Sequence, residues 1–225
     1  MSIDERLAEV RRRVAEAAER SGRPPDAVRI VGVSKGHGPE VIASAIRAGL
    51  TDIGENRVQE AASKKPRVEG SAPPAHWHLV GHLQSNKAKA ALDLFDTIHS
   101  IDSLRIAQRI SSLSNRPIPV YLEVQFARTP DRFGFDPSEL ENIVREIAPL
   151  PNLVVTGLMT VAPLGLSKED TRAVFRTLRA RRDAVQQANS HIPPLGLSMG
   201  MTDDYPIAIE EGATVVRIGR AIFAD

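Results

Sequence analysis

At 225 residues the chain is long enough for one large α/β domain or two small ones, and its 42% hydrophobic and 25% charged content is that of a soluble globular protein. Its 29 basic and 28 acidic residues leave a formal charge of +1, too little for a global field toward nucleic acid or lipid, and the lack of cysteine excludes disulfides, thiolate metal sites and thiol nucleophiles. No apolar run approaches a membrane span and the amino terminus does not read as a signal peptide, so a cytoplasmic protein with no membrane partner is expected.

Ile3, Leu7, Val10, Val14 and Ala18 recur at helical spacing with charges between them, and Gly22 with Pro24 and Pro25 stops the run, which predicts an opening amphipathic helix. Apolar or β-rich runs then alternate with helical ones. The predicted strands are 28–34, 52–55, 77–81, 97–101, 119–126, 153–160, 195–199 and 214–219. Helical patterns between them include Ile106/Ile110/Leu113, Leu140/Ile143/Val144/Ile147 and Val174/Leu178/Val185. Asp102-Ser103, Asp136-Pro137-Ser138 and Thr202-Asp203-Asp204 read as capping segments. Residues 64–75, with Pro66, Pro73 and Pro74, read as a surface excursion.

Eight strands, each but the last followed by a helix, predict an α/β chain folded as a single (β/α)8 TIM barrel with an additional N-terminal helix, one domain over residues 1–225. An open doubly wound sheet is the alternative, disfavoured by the absence of a marked switch point. The chain ends six residues after Gly219, which leaves little room for an eighth outer helix, and the opening helix is the element available to fill that gap.

In such a barrel the chemistry lies at the carboxyl ends of the strands. Lys35 stands there at the end of Val28-Arg-Ile-Val-Gly-Val-Ser34, just before Gly36-His37-Gly38-Pro39 breaks the strand. A lysine with an apolar wall behind it loses solvation as an ammonium, which lowers its pKa and prepares it for Schiff-base formation, although an arbitrary strand-ending lysine is more often a solvated one. Glu55 and Asn56 follow the second strand, and His82, Gln84, Ser85 and Asn86 the third. Asp102 follows the fourth, Arg128 and Arg132 the fifth, and Met159 and Thr160 the sixth. The last two ends read as an anion cradle: Ser198 offers a hydroxyl, Gly200 lets amides approach, and Gly219 exposes donors beside them. Arg217 is either a structural residue paired with a buried carboxylate or a cation facing the heteroatom of a bound ring. His76 and His78 share a strand face and His82 lies nearby, but no third ligand stands at a fixed spacing, so no metal is assigned.

Val31-Gly-Val-Ser-Lys35, Ile53-Gly-Glu-Asn-Arg-Val-Gln-Glu60 and Trp77-His-Leu-Val-Gly-His-Leu-Gln-Ser-Asn-Lys87 form a distributed pattern. His99-Ser-Ile-Asp-Ser103, Gly157-Leu-Met-Thr160, Leu197-Ser-Met-Gly-Met-Thr-Asp-Asp204, Val216-Arg-Ile-Gly219 and Ala221-Ile-Phe223 continue it. From residue 28 to 223 the chain resembles the pyridoxal phosphate homeostasis proteins, which are related to the barrel of alanine racemase. The resemblance implies that Lys35 carries pyridoxal 5′-phosphate (PLP) as an internal aldimine, with Asn56 near the phenolic oxygen and Met159 near the ring. It also implies that Ser198 and the backbone around Gly200, Gly219 and Arg220 hold the phosphate, and that Arg217 faces the pyridine nitrogen. The family often has a lysine where His37 stands, an aromatic at Arg57, a lysine at Arg132 and a threonine at Arg220.

The resemblance implies a PLP carrier and buffer in vitamin B6 homeostasis and amino-acid balance, with no residue assigned to catalysis. Apo PLP-dependent enzymes are the candidate recipients, and a monomer is expected. Tyr121 and Tyr205 are the only tyrosines, and neither is clearly placed as the second base a racemase needs. The alternatives are a weak PLP-dependent racemase using His82 or Tyr205, and a class I aldolase using Lys35.

Overall fold

The computed structural model describes residues 1–127 and 133–224. Eight parallel strands close into a barrel in chain order: β1 Arg29–Val33, β2 Asp52–Glu55, β3 His76–Leu79, β4 Thr97–Ile101, β5 Ile118–Glu123, β6 Leu153–Met159, β7 Gly196–Ser198 and β8 Val215–Ile218. Closure comes from β8 pairing with β1, Arg29 opposite Val215 and Gly32 opposite Ile218. These segments are dominated by valine, isoleucine and leucine because a parallel strand covered by helices outside and packed within is buried on both faces. Val31, Ile53, Leu79, Ile98, Val120, Leu158 and Ile218 are each fully buried.

Around the barrel stand α1 Ile3–Arg20, α2 Pro39–Arg47, α3 Val58–Glu69, α4 Ala88–Leu94, α5 Leu104–Leu113, α6 Leu140–Ile147, α7 Lys168–Ala188, α8 Tyr205–Glu210 and α9 Arg220–Phe223. The helix after β8 has only four residues, and α1 takes up the missing place in the ring. It packs on α8 and α9, burying Leu7, Val10, Val14, Ala17 and Ala18. Arg6 Nε donates to the Ile222 carbonyl at 2.9 Å, and Arg13 lies 5.3 Å from the ring centre of the fully buried Tyr205. The start of α1 is fixed by a capping box, Ser2 and Glu5 each accepting the other's amide hydrogen bond.

Two local expectations are corrected. Residues 64–69 are helix, the second half of α3, and not surface loop. Pro66 removes one backbone donor inside this helix, but the flanking Ala61, Lys64 and Val68 are buried, and tertiary packing outweighs the local break. Of the capping segments, only Ser103 accepts from an amide of its helix, that of Ile106. Asp136 instead closes a turn by accepting from the Ser138 amide at 2.9 Å, and Asp204 accepts from the Met201 amide ahead of α8.

Candidate functional site

The carboxyl ends of β1, β6, β7 and β8 meet at one mouth. Lys35 follows β1 on a turn in which Gly36 takes φ +80° and the His37 amide bonds the Ser34 carbonyl at 3.1 Å. Gly219 abuts this turn, since a Cβ there would stand 3.2 Å from the Val33 carbonyl oxygen. Lys35 is exposed, so the desolvation expected of it is not supplied by the protein's own atoms.

The turn that carries Lys35 is anchored from beneath by a buried ion cluster that sequence reasoning missed. Lys64 Nζ donates to Glu55 at 2.8 Å, to Glu60 at 2.9 Å and to the Ser34 carbonyl at 3.1 Å, while Ser34 Oγ donates to Glu55 at 2.7 Å. Burial works against the Lys64 ammonium, but its bonds to Glu55 and Glu60 outweigh that and hold its pKa above the usual lysine value. The same ammonium, by hydrogen bonding, holds Glu60 below the usual carboxylate range. The signal in the sequence was the Glu60-Ala-Ala-Ser-Lys64 spacing, an i, i+4 pair hidden by reading Pro66 as a helix break.

Arg217 is buried at the mouth. Its Nη1 donates to Ser198 Oγ at 2.7 Å and its Nη2 to the Thr160 carbonyl at 2.8 Å. Burial pushes its pKa down to about 10, against the opposing fields of Glu123 and Asp204. The Ser198 hydroxyl is not turned to the rim as expected for an anion ligand. It points into the barrel, between Arg217 and His99 Nδ1 at 2.8 Å, because Ser198 sits on an inward position of β7. Met159, opposite Ser198 on the adjacent strand, is buried.

Free donors lie in the backbone instead. No described residue accepts from the amides of Gly200, Gly219, Arg220 or Ala221. Gly200 has φ +93°, and a Cβ on it would fall 2.6 Å from the Ala208 Cβ and 2.9 Å from the Tyr205 Cα, so only glycine brings this backbone to the mouth. Unpaired amides at the ends of the last two strands suit a phosphate. The Arg220 side chain turns outward to an ion pair with Asp203.

Asn56 is half-buried after β2, and its carbonyl oxygen lies where a Cβ on Gly81 would be, at 2.3 Å. With Arg57, Glu60, His82, Gln84 and Lys87 it lines a neighbouring cavity of about 660 Å³. His82 Nδ1 is 2.8 Å from Asp102, and its ring stacks on Phe133 at 3.7 Å. Tyr205 is fully buried and its hydroxyl has no partner among the described residues, so it cannot be the acid/base considered for it. Arg128 and Arg132 lie outside the described residues. His78 has both ring nitrogens engaged, by His99 and Asp52, and His76 Nε2 meets Thr97 at 2.9 Å. Among the described residues no three His, Asp or Glu side chains are grouped to hold a metal, and no helix is long and apolar enough to cross a membrane.

Residues 6–225 match the family described as alanine racemase, N-terminal domain. The chain is 38% identical over 228 residues to the pyridoxal phosphate homeostasis protein of Aquifex aeolicus, covering 100% of this chain and 99% of that one. Structurally it is similar to PipY of Synechococcus elongatus, 38% identical, with a TM-score of 0.89 without PLP and 0.87 with PLP bound, covering 99% of this chain and 100% of that one. D-threonine aldolase from Filomicrobium marinum, at 15% identity and a TM-score of 0.72, shares the fold over 96% of this chain and 60% of its own. With the lysine, the arginine and the unpaired amides gathered at one barrel mouth, and with relatives matched end to end, the chain belongs to the pyridoxal phosphate homeostasis protein family.

Proposed function

We propose that this protein binds PLP covalently through Lys35 and acts in intracellular PLP homeostasis and amino-acid balance, without turning over an amino-acid substrate. The observation that carries the reading is the exposed Lys35 just after β1, whose last residue Val33 meets Gly219, where the amides of residues 219–221 have no acceptor among the described residues. PLP, when bound, supplies an aldehyde that an amine captures and an electron-withdrawing ring. Lys35 Nζ is the nucleophile, and the amides of Gly200, Gly219, Arg220 and Ala221 hold the phosphate. Arg217 would face the ring nitrogen, and Asn56 and Met159 would line the ring. Ser198 serves by holding Arg217, a change from its expected role as phosphate ligand.

The absence of turnover is supported by two features of the site. A guanidinium at the ring nitrogen would keep that nitrogen unprotonated and weaken the ring as an electron sink. Tyr205 is sealed beneath α1. The PLP enzymes with this fold are distant in sequence, whereas the close relatives carry the homeostasis name. Part of the same proposal is a cytoplasmic monomer that passes PLP to apo enzymes. One observation favours a second reading, a weak racemase. His82, oriented by Asp102, stands at the rim in the manner of an imidazole base.

Titration with PLP tests the main reading. Wild-type protein is expected to develop a visible absorption band that Lys35→Ala lacks while keeping its fold by circular dichroism; an unchanged band in that variant refutes the assignment. Incubation of the loaded protein with amino acids in deuterated water separates the two readings. No α-proton exchange above free PLP is expected, and exchange abolished by His82→Gln favours the enzyme.

A further inference from the structure

A chain of hydrogen bonds crosses the barrel interior from its amino-terminal end to the mouth. Asp52 Oδ1 meets His78 Nε2 at 2.9 Å, and His78 Nδ1 meets His99 Nε2 at 2.9 Å. His99 Nδ1 meets Ser198 Oγ at 2.8 Å, which accepts from Arg217 at 2.7 Å. All five residues are buried. Polar side chains here are conspicuous, because the interior of such a barrel is ordinarily filled by branched apolar residues that cost far less to bury.

With both imidazoles neutral, the Asp52 end fixes the direction of the chain, and the Arg217 end is compatible with it. A guanidinium can only donate, and a carboxylate can only accept. Asp52 is held as a carboxylate: burial opposes this, but the bonds from His78 and Thr51 prevail and lower its pKa. Each middle group therefore passes its proton the same way. Ser198 donates to His99 Nδ1, His99 Nε2–H to His78 Nδ1, and His78 Nε2–H to Asp52. Both imidazoles are then Nε2–H tautomers. For His99 this agrees with burial, which drives its pKa well below the usual histidine value, further helped by the fields of His78 and Arg217. Its ring is also clamped in plane against Tyr121, centroids 4.4 Å apart and 23° from parallel.

The consequence falls on Ser198. With its proton committed to His99, its oxygen presents a lone pair to Arg217 Nη1 and cannot turn its hydrogen toward the cation. We infer that His99 and His78 are positioning residues that aim Arg217 at the cofactor through Ser198, with Asp52 as the anchoring carboxylate. This rests on the reading of Arg217 as the residue facing the ring nitrogen.

The chain itself is tested without PLP, by nitrogen-15 NMR of histidine-labelled protein at pH 7. Nε2–H signals for both His78 and His99 are expected, and an Nδ1–H tautomer or an imidazolium at either ring overturns the chain. Its action on the cofactor is tested on PLP-loaded protein. His99→Leu, and Ser198→Ala, which deletes a single oxygen and keeps the packing, are expected to move the visible absorption maximum and to weaken PLP binding about tenfold, the scale of one hydrogen bond to a charged group. Arg217→Gln is expected to shift the band in the same direction, and adding Ser198→Ala to it should shift the band no further. A shifted Arg217→Gln with wild-type spectra for both Ser198→Ala and His99→Leu overturns the positioning role alone. A wild-type spectrum for Arg217→Gln overturns the ring-facing reading and the positioning role together.

Discussion

Lys64 shows how a side chain away from the chemistry decides whether the site is built. It neutralises Glu55, which is fully buried, and holds the Ser34 carbonyl one residue before Lys35. Lys64→Ala leaves that carboxylate buried without its cation, and a loss of about 3–5 kcal/mol is expected in urea denaturation. Adding Glu55→Gln to Lys64→Met should recover much of it, and a single variant as stable as wild type contradicts the cluster's role. His99 makes a prediction about pH. A histidine kept neutral by burial binds fewer protons in the folded than in the unfolded state, so its cost is absent above the ordinary histidine pKa of 6.5 and grows as pH falls below it. The wild type should lose stability between pH 6.5 and 5 that His99→Leu retains, as read from urea midpoints across that range. Parallel curves exclude a neutral buried His99. At this scale the positions of Lys35, Arg217 and Gly219 at the strand ends were legible in the sequence. The direction of the Ser198 hydroxyl was not, because it depends on His99, a partner 99 residues away on another strand. Alternating polar residues on buried strands, His76 and His78 in β3 and Thr97 and His99 in β4, were the available hint.

Among the elements, α1 stands in for the outer helix that four-residue α9 is too short to form. Its apolar stripe therefore belongs to the barrel's core, and Leu7→Ala is expected to cost about 2–5 kcal/mol, against near zero for an exposed surface change such as Arg12→Ala. Equal effects in urea denaturation would mean that α1 is a dispensable appendage. α3 yields the opposite sign. Pro66 interrupts its hydrogen-bond ladder, so Pro66→Ala should raise stability by up to about 3 kcal/mol, and a loss would show that the break is compensated elsewhere. The strand ends were legible to within three residues because runs buried on both faces are continuous in sequence. The second half of α3 was not, because the packing that tolerates Pro66 involves residues far along the chain.

At the scale of the molecule, eight alternating units were enough to foresee the closed ring, whose β8–β1 pairing leaves no exposed edge. Closure is also what brings the turn after β1 against Gly219 after β8, joining residues from the two ends of the chain into one mouth. The chemistry of that mouth turns on its amine, Lys35. PLP-loaded protein reduced with borohydride, digested and sequenced by mass spectrometry tests it most directly. A single phosphopyridoxyl adduct on Lys35 is predicted. An adduct on any other lysine, or none at all, contradicts it.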